Sequence, residues 1–312
     1  MSKNAITLCL VVKNEFHNIK NCVGKTFPFF DAVNITDTGS NDGTVELLRT
    51  EYGIEPTVFK VSKKNYFSIL DARNHNILLA KTNYILVLDA DEAVTEDDVR
   101  QMRLAIEKDE GADGFFLKWN TYTKNSPPIS DYKLNLFKRD PRIQFMGQRH
   151  PHVTVSIRDK GGYAKWIDAE IKHFPHPQSA PQKLKTAVAH LSELVLEEPG
   201  FIRYHWFLGM TLHSIDSERT AIPFLEAAAQ SKSLRFPVEC LNSHLLLAKV
   251  YYGQGKSGDS LETVENALAF YHRVMDDFEV QINFRMYPTL KKMKEDILKG
   301  KSRLSVYAFG GV

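Results

Sequence analysis

The sequence predicts an α/β fold with a mostly parallel sheet in the first half of the chain and an α-helical region in the second half. Short apolar segments without polar alternation, which are typical of strands buried on both faces, alternate with helical patterns up to about residue 176. Beyond the proline-rich segment 174–181, strand patterns cease and helical periodicity continues to Lys299. We therefore expect two domains, residues 1–176 and 177–312, with right-handed crossovers between parallel strands.

The first two predicted strands each end in polar residues. Ile6–Val12 (ITLCLVV) is followed by residues 13–15 (KNE) and then by a predicted helix over 17–26. Val33–Thr36 is the second strand, and the segment 37–44 after it (DTGSNDGT) combines turn glycines with residues that cap helices. Open α/β sheets bind ligands at the carboxyl ends of their strands, so these polar segments are candidates for a binding site.

A third predicted strand ends in two aspartates. The helical pattern over 68–80 contains the segment 71–74 (DARN), and the apolar strand 84–88 (YILVL) follows it. Asp89 and Asp91 come directly after this strand and are one residue apart, so they can share a divalent cation. Such a pair alone is a weak signal, because acidic turns after strands are common and usually face water.

Four segments in this order resemble the inverting glycosyltransferases of family 2, which have the Rossmann-like A-type fold of nucleotide-diphospho-sugar transferases. The matching segments are VVKNE at 11–15, DTGSNDGT at 37–44, DARN at 71–74 and LDADE at 88–92. The resemblance covers about residues 4–176, just over half of the chain. It implies a site for a nucleotide-diphospho-sugar, the donor substrate of such enzymes.

The resemblance assigns roles to the individual residues of these segments. It implies that Asp91 binds the metal ion directly and that Asp89 contacts the ribose or a metal-bound water. Asp37 is expected to contact the base, while Asn14 and Glu15 lie near the ribose. The alternative for Asp37 is that it only caps the helix that follows it.

A hard cation is expected at this site, because a nucleotide diphosphate is a poor leaving group while its charge is unshared. Oxygen ligands favour Mn²⁺ or Mg²⁺ over softer metals. Arg73 would lie close to the diphosphate, where a guanidinium neutralises charge without losing its proton. The alternative for Arg73 is an ordinary surface charge.

Histidines cluster downstream of the acidic motif, at positions 150, 152, 173 and 176. The resemblance implies that one of them completes the metal shell, and the segment 171–173 (IKH) matches that element best. We therefore expect His173 to be a metal ligand, against the alternative of an ordinary half-buried histidine.

The segment 145–150 (FMGQRH) departs from the family pattern at the next position. Pro151 follows His150 where the family commonly carries glutamate. If that glutamate has a catalytic or orienting role in relatives, this protein must do without it or use His152 instead.

An inverting transfer also needs a base that takes the proton of the acceptor, and a carboxylate is the usual choice. Asp131, just before the strand predicted over 132–140, occupies the corresponding place by resemblance. Asp113 and Glu92 are the alternatives, since the sequence does not fix the distance of any of them to the donor sugar.

The helical half contains two related stretches with small residues at similar positions. They resemble tetratricopeptide repeats, although the usual period of about 34 residues is stretched here. This region would be either a stability and homodimerisation module or an acceptor-binding surface. The stretches are Leu208-Gly209 with Ala221 and Ala228, and Leu247-Ala248 with Tyr251 and Ala267.

Two basic stretches suggest either solvated faces or contact with a polyanion. The net charge of only +2 argues against an extended nucleic-acid coat but allows local patches. The basic residues are Lys138, Arg139, Arg142, Arg149, Arg158, Lys160 and Lys165 in the first stretch, and Lys291, Lys292, Lys294, Lys299, Lys301 and Arg303 in the second.

The three cysteines show no close-spaced metal pattern, and their low, odd number favours a reducing, cytoplasmic environment. The longest N-terminal apolar run, Ala5–Val12, is too short to span a membrane, so we expect no transmembrane segment and no signal peptide.

The function favoured by the sequence is that of a metal-dependent inverting glycosyltransferase. It would move a sugar from a nucleotide-diphospho-sugar to a glycan or protein acceptor. Three alternatives remain at this point: transfer to modified bases in DNA, another sugar-nucleotide reaction on the same fold, and a catalytically weak, repeat-based interaction protein.

Overall fold

A computed structural model describes residues 2–60, 67–124, 127–175, 180–215, 218–277 and 285–306. The chain divides into two compact units, Met1–His176 and Pro177–Val312. In the described part of the chain, the first unit combines strands with helices and the second is helical. The predicted fold class, an α/β sheet domain followed by helices, is confirmed. The proline-rich segment 174–181 lies mostly outside the described residues.

The first unit contains eight strands and five α-helices in its described part. The strands are β1 Ile6–Val12, β2 Ala32–Asp37, β3 Thr57–Val58, β4 Tyr84–Val87, β5 Glu92–Ala93, β6 Gly114–Thr121, β7 Ile129–Lys138 and β8 Ala164–His173. The helices are α1 Phe16–Asn21, α2 Thr44–Tyr52, α3 Phe67–Leu78, α4 Glu96–Lys108 and α5 Thr154–Asp159. The helix predicted over 17–26 is split, because α1 ends at Asn21 and a 3₁₀ segment, Val23–Phe29, follows it.

The sheet has the strand order β3-β2-β1-β4-β7-β6-β8-β5. The β3–β2, β2–β1, β1–β4 and β6–β8 pairings are parallel. The β4–β7, β6–β7 and β5–β8 pairings are antiparallel, so the sheet is mixed and mostly parallel. The carboxyl ends of β1, β2 and β4 therefore lie at one edge of the sheet, and the loops that follow these strands meet there.

Strand β1 lies between β2 and β4 and is buried on both faces. Leu8 and Leu10 pack in one hydrophobic cluster, whereas Cys9 packs in another with Ile85 and Val87 of β4. All three β1 residues are fully buried. Since both faces of this strand are covered, its sequence shows a continuous apolar run rather than the alternation of a half-exposed strand.

The described part of the second unit contains six helices: α6 Ala180–Glu197, α7 Ile202–Ser214, α8 Glu218–Gln230, α9 Pro237–Gly253, α10 Ser257–Asp277 and α11 Met286–Leu298. They pack in sequence, each against the next. A Cβ atom on Gly209 would lie 2.7 Å from the Leu225 side chain, so only glycine allows α7 and α8 to approach this closely. Ala221 and Ala228 of α8 are fully buried. The small residues noted in the sequence thus lie at helix–helix contacts.

The three cysteines are buried and unpaired. Burial raises the pKa of the Cys22 thiol to about 12 and that of Cys240 to about 11, so both stay protonated at neutral pH and neither is a nucleophile. Within the residues that the structure describes, no helix has the length and apolar character needed to cross a membrane.

Candidate active site

Hydrogen bonds connect the loop that follows β1 to the loop that follows β2. Asn14 adopts a left-handed backbone conformation with φ of 58°, which asparagine tolerates better than most residues. Its backbone N–H donates to Ser40 Oγ, and its side-chain oxygen accepts from the Asn41 backbone N–H, each at 2.8 Å. The Glu15 N–H donates to Thr44 Oγ1 at 2.8 Å. The two predicted ribose contacts, Asn14 and Glu15, therefore lie beside the loop that Asp37 opens.

Asp37 is the last residue of β2, and its side chain is 3% exposed. Its carboxylate accepts hydrogen bonds from the backbone N–H groups of Gly39 at 2.9 Å and Ser40 at 3.1 Å. Gly39 has φ of 106°, a conformation that favours glycine. Asp37 thus stabilises its own turn, and any contact with a base would be an additional role.

We expect Asp37→Ala to lower the free energy of unfolding by about 1–2 kcal/mol, since two backbone donors lose their acceptor. A base contact would make the same variant lose nucleotide affinity about tenfold in isothermal titration. Asp37→Asn is the matched comparison, because it keeps one acceptor oxygen for the turn. If Asp37→Ala melts earlier but binds nucleotide like the wild type, Asp37 has the turn role alone.

Arg73 of α3 reaches the acidic turn after β4. Its Nη2 donates to Asp89 Oδ1 at 2.6 Å, and its guanidinium lies 5.8 Å from the centre of the Phe145 ring. The positive charge of Arg73 holds the pKa of Asp89 well below its usual range, and Asp89 raises that of Arg73. The Arg73 Nε is buried and has no partner in the described part of the chain. Arg73 is therefore a partly buried cation of the site rather than an isolated surface charge.

Asn74, the neighbour of Arg73, fixes the segment that carries Phe145. Its side-chain NH₂ donates to the Phe145 carbonyl at 3.1 Å, and its side-chain oxygen accepts from the Phe145 N–H at 2.8 Å. This pair of bonds connects α3 to a segment about seventy residues away in the chain. Apart from the DARN motif, no feature of the sequence indicated this contact.

Asp91 and His173 lie side by side. The Asp91 Oδ2 and His173 Nε2 atoms are 3.4 Å apart, and the Phe174 N–H donates to the Asp91 carbonyl at 2.8 Å. On the other side of the ring, His173 Nδ1 is 3.0 Å from Thr121 Oγ1, and the Trp119 ring stacks on the imidazole at 4.6 Å. Because Thr121 and Trp119 orient the ring, its Nε2 is directed to the acidic turn.

Glu92 is 1% exposed and stabilises the acidic turn through hydrogen bonds. One oxygen accepts from the Asp89 backbone N–H at 2.9 Å. The other accepts from Trp119 Nε1 at 2.6 Å and from Lys133 Nζ at 2.8 Å. Lys133 also lies 3.9 Å from the centre of the Trp119 ring. Glu92 is therefore a structural residue of the site, and its buried ion pair makes it unsuitable as the base for an acceptor.

The acidic turn and the β1 loop together form a negative region. Burial raises the pKa of Glu15, a hydrogen bond from Asn18 opposes this, and the charges of Asp91 and Asp89 raise it further. In the described residues, no three or more His, Cys, Asp or Glu side chains are arranged to hold a metal ion. Asp91 and His173 fit a cation that completes its shell with donor phosphates and water, as Mg²⁺ and Mn²⁺ commonly do.

Asp131 lies on β7 directly opposite Trp119 of β6. Paired residues of neighbouring strands point to the same face of a sheet, so Asp131 is on the face that carries Trp119 and Lys133. Asp113 directly precedes β6, whereas Thr121 is the last residue of that strand. At ~3.3 Å per residue, the two residues are roughly 25 Å apart. Asp113 is ion-paired with Lys160 at 2.6 Å. Glu92 and Asp113 are thus both ion-paired, and the role of Asp131 as the base stays a prediction.

The remaining histidines of the cluster have different surroundings. His150 adopts φ of 50°, and His152 pairs through its backbone with Met146, at 3.0 and 3.2 Å. Pro151 lies between these two histidines. His176 lies outside the described residues.

The mixed Rossmann-like sheet, with an acidic turn after β4 that faces Arg73 and His173, is the arrangement expected of the A-type glycosyltransferase fold. The chain belongs to glycosyl transferase family 2, whose model matches residues 7–164.

Two curated relatives share part of this chain. The SPbeta prophage-derived glycosyltransferase SunS of Bacillus subtilis (strain 168) is 24% identical over 233 residues, which is 71% of this chain and 52% of SunS. The TPR repeat-containing protein Synpcc7942_0270 of Synechococcus elongatus is 27% identical over 188 residues, 58% of this chain and 45% of that protein. The chain thus spans about half the length of these relatives.

Solved structures of S. aureus TarS residues 1–349 also match. The complex with UDP is 13% identical, covers 99% of this chain and 94% of that chain, and has a TM-score of 0.48. The complex with UDP-GlcNAc is 11% identical, covers 95% of this chain and 92% of that chain, and has the same TM-score of 0.48.

Proposed function

We propose that this protein is a metal-dependent inverting glycosyltransferase that transfers a sugar from a nucleotide-diphospho-sugar to a glycan or protein acceptor. The observation that supports this most directly is the acidic turn after β4. There Asp91 lies 3.4 Å from His173, and Asp89 lies 2.6 Å from Arg73, in a chain of family 2.

The chemistry follows from these groups. Asp91 and His173 would hold Mn²⁺ or Mg²⁺, which neutralises the diphosphate when bound. Arg73 adds a second positive charge, and its unpartnered Nε supports a hydrogen bond to a diphosphate oxygen. Asn14, Glu15 and Asp37 would contact the nucleoside.

The base in this proposal is Asp131. It takes the proton of the acceptor while the acceptor atom bonds to the anomeric carbon and the bond from that carbon to the diphosphate breaks. A single displacement of this kind inverts the anomeric configuration. Pro151 stands where the family commonly carries glutamate. The proposed base is therefore a separate carboxylate, that of Asp131.

A panel of nucleotide sugars, each measured with and without Mn²⁺, tests donor binding. We expect one donor, together with Mn²⁺, to raise the melting temperature by about 5–10 °C, since ligand at a hundredfold excess over its Kd contributes about 2.7 kcal/mol. The same donor without metal should have a much smaller effect. A panel in which no nucleotide sugar shifts the melting temperature would contradict the proposal.

The surroundings of the basic residues favour a glycan or protein acceptor over DNA. In both basic stretches, several lysines and arginines form ion pairs with neighbouring carboxylates, which compensate part of the positive charge. These pairs are Arg142 with Asp140, Lys160 with Asp113, Lys165 with Asp109, Lys292 and Lys301 with Asp296, Lys294 with Glu265, and Lys299 with Glu295.

We therefore expect binding to short double-stranded DNA at physiological salt to be no tighter than about 10⁻⁴ M, the weak end of non-specific association. The affinity should also depend little on salt, because few condensed counterions are released. Fluorescence anisotropy between low and physiological salt measures both quantities. Tight, salt-sensitive binding that is lost when Lys291, Lys292 and Lys294 are changed to Gln would favour transfer to DNA bases instead.

Two further points are tested separately: whether the protein is a catalytically weak interaction protein, and whether it forms a homodimer. Hydrolysis of the matched donor in the absence of acceptor distinguishes an active transferase from an interaction protein that has lost its chemistry. Light scattering of the full chain gives its oligomeric state. A homodimer through the helical unit remains part of the proposal.

A further inference from the structure

The helical unit contains a cavity of about 330 Å³ between α8, α9 and α10. Buried apolar side chains, Ala229 and Leu247, form part of its wall. The rest of its lining is mainly polar and comes from all three helices. A volume of this size suits a small ligand or a single side chain.

Three carboxylates line this cavity: Glu226, Asp259 and Glu262. None of them forms an ion pair with another residue in the described ranges of the chain. Other carboxylates of the same unit are paired, as Asp296 is with Lys292 at 2.7 Å. The cavity thus gathers three carboxylates that form no ion pair with a described residue.

A buried histidine adds a further acceptor. His244 is 5% exposed and lines the cavity, and its Nδ1 lies 2.8 Å from the Cys240 carbonyl. Because a carbonyl only accepts, Nδ1 carries the hydrogen and Nε2 is left as an acceptor without a partner in the described part of the chain. Burial lowers the pKa of His244, which keeps the ring neutral and Nε2 an acceptor at pH 7.

The aromatic ring of Tyr251 completes the lining. Its hydroxyl donates to Glu226, and burial raises the pKa of Tyr251, so the hydroxyl stays protonated. Lys256 Nζ lies over the ring, 5.7 Å from its centre, within the range of a cation–π contact. In the described residues, no group of His, Asp and Glu has the arrangement of a metal site. The ligand chemistry that fits is an organic cation with several N–H donors.

We propose that this cavity binds a guanidinium or alkylammonium group, whose N–H groups donate to the carboxylates of Glu226 and Glu262 and to Nε2 of His244. Such a group could be the basic side chain of a polypeptide or a free small amine. The site belongs to the helical unit and does not depend on the proposed transferase function.

Isothermal titration of the full chain with three probes tests this proposal. The probes are a short capped peptide with one arginine, the same peptide with citrulline in its place, and agmatine. We expect the arginine peptide to bind at least tenfold more tightly than the citrulline peptide, which has the same shape without the charge. Agmatine binding equal to that of the arginine peptide identifies a free amine as the ligand source, and weaker agmatine binding identifies a polypeptide.

The variant Glu262→Gln tests whether the arginine peptide binds in this cavity. Glu262 is exposed and makes no ion pair with a described residue, so its substitution should leave the fold unchanged by circular dichroism. We expect it to weaken binding of the arginine peptide about tenfold. Glu265→Gln is the matched control, because Glu265 lies on the same helix but pairs with Lys294 outside the cavity lining. Equal affinity for the arginine and citrulline peptides, or wild-type affinity in Glu262→Gln, overturns the proposal.

Discussion

Replacing Asp91 by Asn is expected to reduce sugar transfer about a thousandfold while the protein stays folded. Removal of the carboxylate charge weakens the hold on the cation that stabilises the leaving diphosphate, and a thousandfold loss corresponds to about 4 kcal/mol. The side chain of Asp91 is partly exposed and lies 3.4 Å from the His173 imidazole, so little packing is lost. The ratio kcat/KM, measured over a range of Mn²⁺ concentrations, gives the size of the effect.

Asp168→Asn is the matched control for this experiment. Asp168 is an exposed acid of β8, the strand that also carries His173, and its substitution should leave both activity and Mn²⁺ dependence unchanged. Isothermal titration with Mn²⁺ and donor then separates binding from chemistry. Manganese-dependent heat in Asp91→Asn equal to that of the wild type would mean that Asp91 does not bind the cation.

Glu92→Ala is expected to lower the free energy of unfolding by about 3 kcal/mol. The substitution leaves the Asp89 N–H and Trp119 Nε1 without their acceptor, at about 1–3 kcal/mol for each buried donor, and leaves Lys133 without its counter-charge. Lys133 is partly exposed, so water compensates some of the lost ion pair. Urea denaturation, with the slope of the transition checked for constancy, measures the change.

The interaction of Glu92 with Lys133 can be separated by a double-mutant cycle with Glu92→Gln and Lys133→Met. Glu96→Gln serves as the surface control, and we expect it to change stability by no more than about 0.5 kcal/mol. If Glu92→Ala is as stable as Glu96→Gln, the hydrogen bonds to the acidic turn contribute nothing to the fold. We also expect Glu92→Ala to bind donor weakly, because the backbone of Asp89 loses its anchor.

The sequence predicted those parts of the fold in which the pattern is local. The bounds of β1, Ile6–Val12, agree with the structure, because this strand is covered on both faces and its apolar run has clear ends. For β2, the predicted Val33–Thr36 is one residue shorter at each end than the observed Ala32–Asp37. Both strands lead into the loops that the motifs identified. The position of the acidic turn at the carboxyl end of β4 was therefore predictable from the chain alone.

The contacts that organise the site could not be predicted, because they depend on the register between distant strands. Glu92 meets Trp119 of β6 and Lys133 of β7, and nothing in its local sequence indicates either partner. The bonds between Asn74 and the Phe145 backbone are equally remote. His173 was selected among several histidines by resemblance, and its neighbours Thr121 and Trp119 appear only once β6 and β8 are paired. Features that depend on neighbouring residues were thus predicted, whereas contacts between residues far apart in the sequence were not.

The pairing of β5 with β8 has a consequence for how the site forms during folding. It places Glu92 opposite His173, so Asp91 and His173 come together only after a loop of about eighty residues has closed. Closing such a loop has an entropic cost, and contacts of this separation generally form late and slow folding. A fragment that ends at residue 164, where the family match ends, would lack nearly all of β8 and with it His173. Cation binding should therefore appear late in refolding and report completion of the sheet.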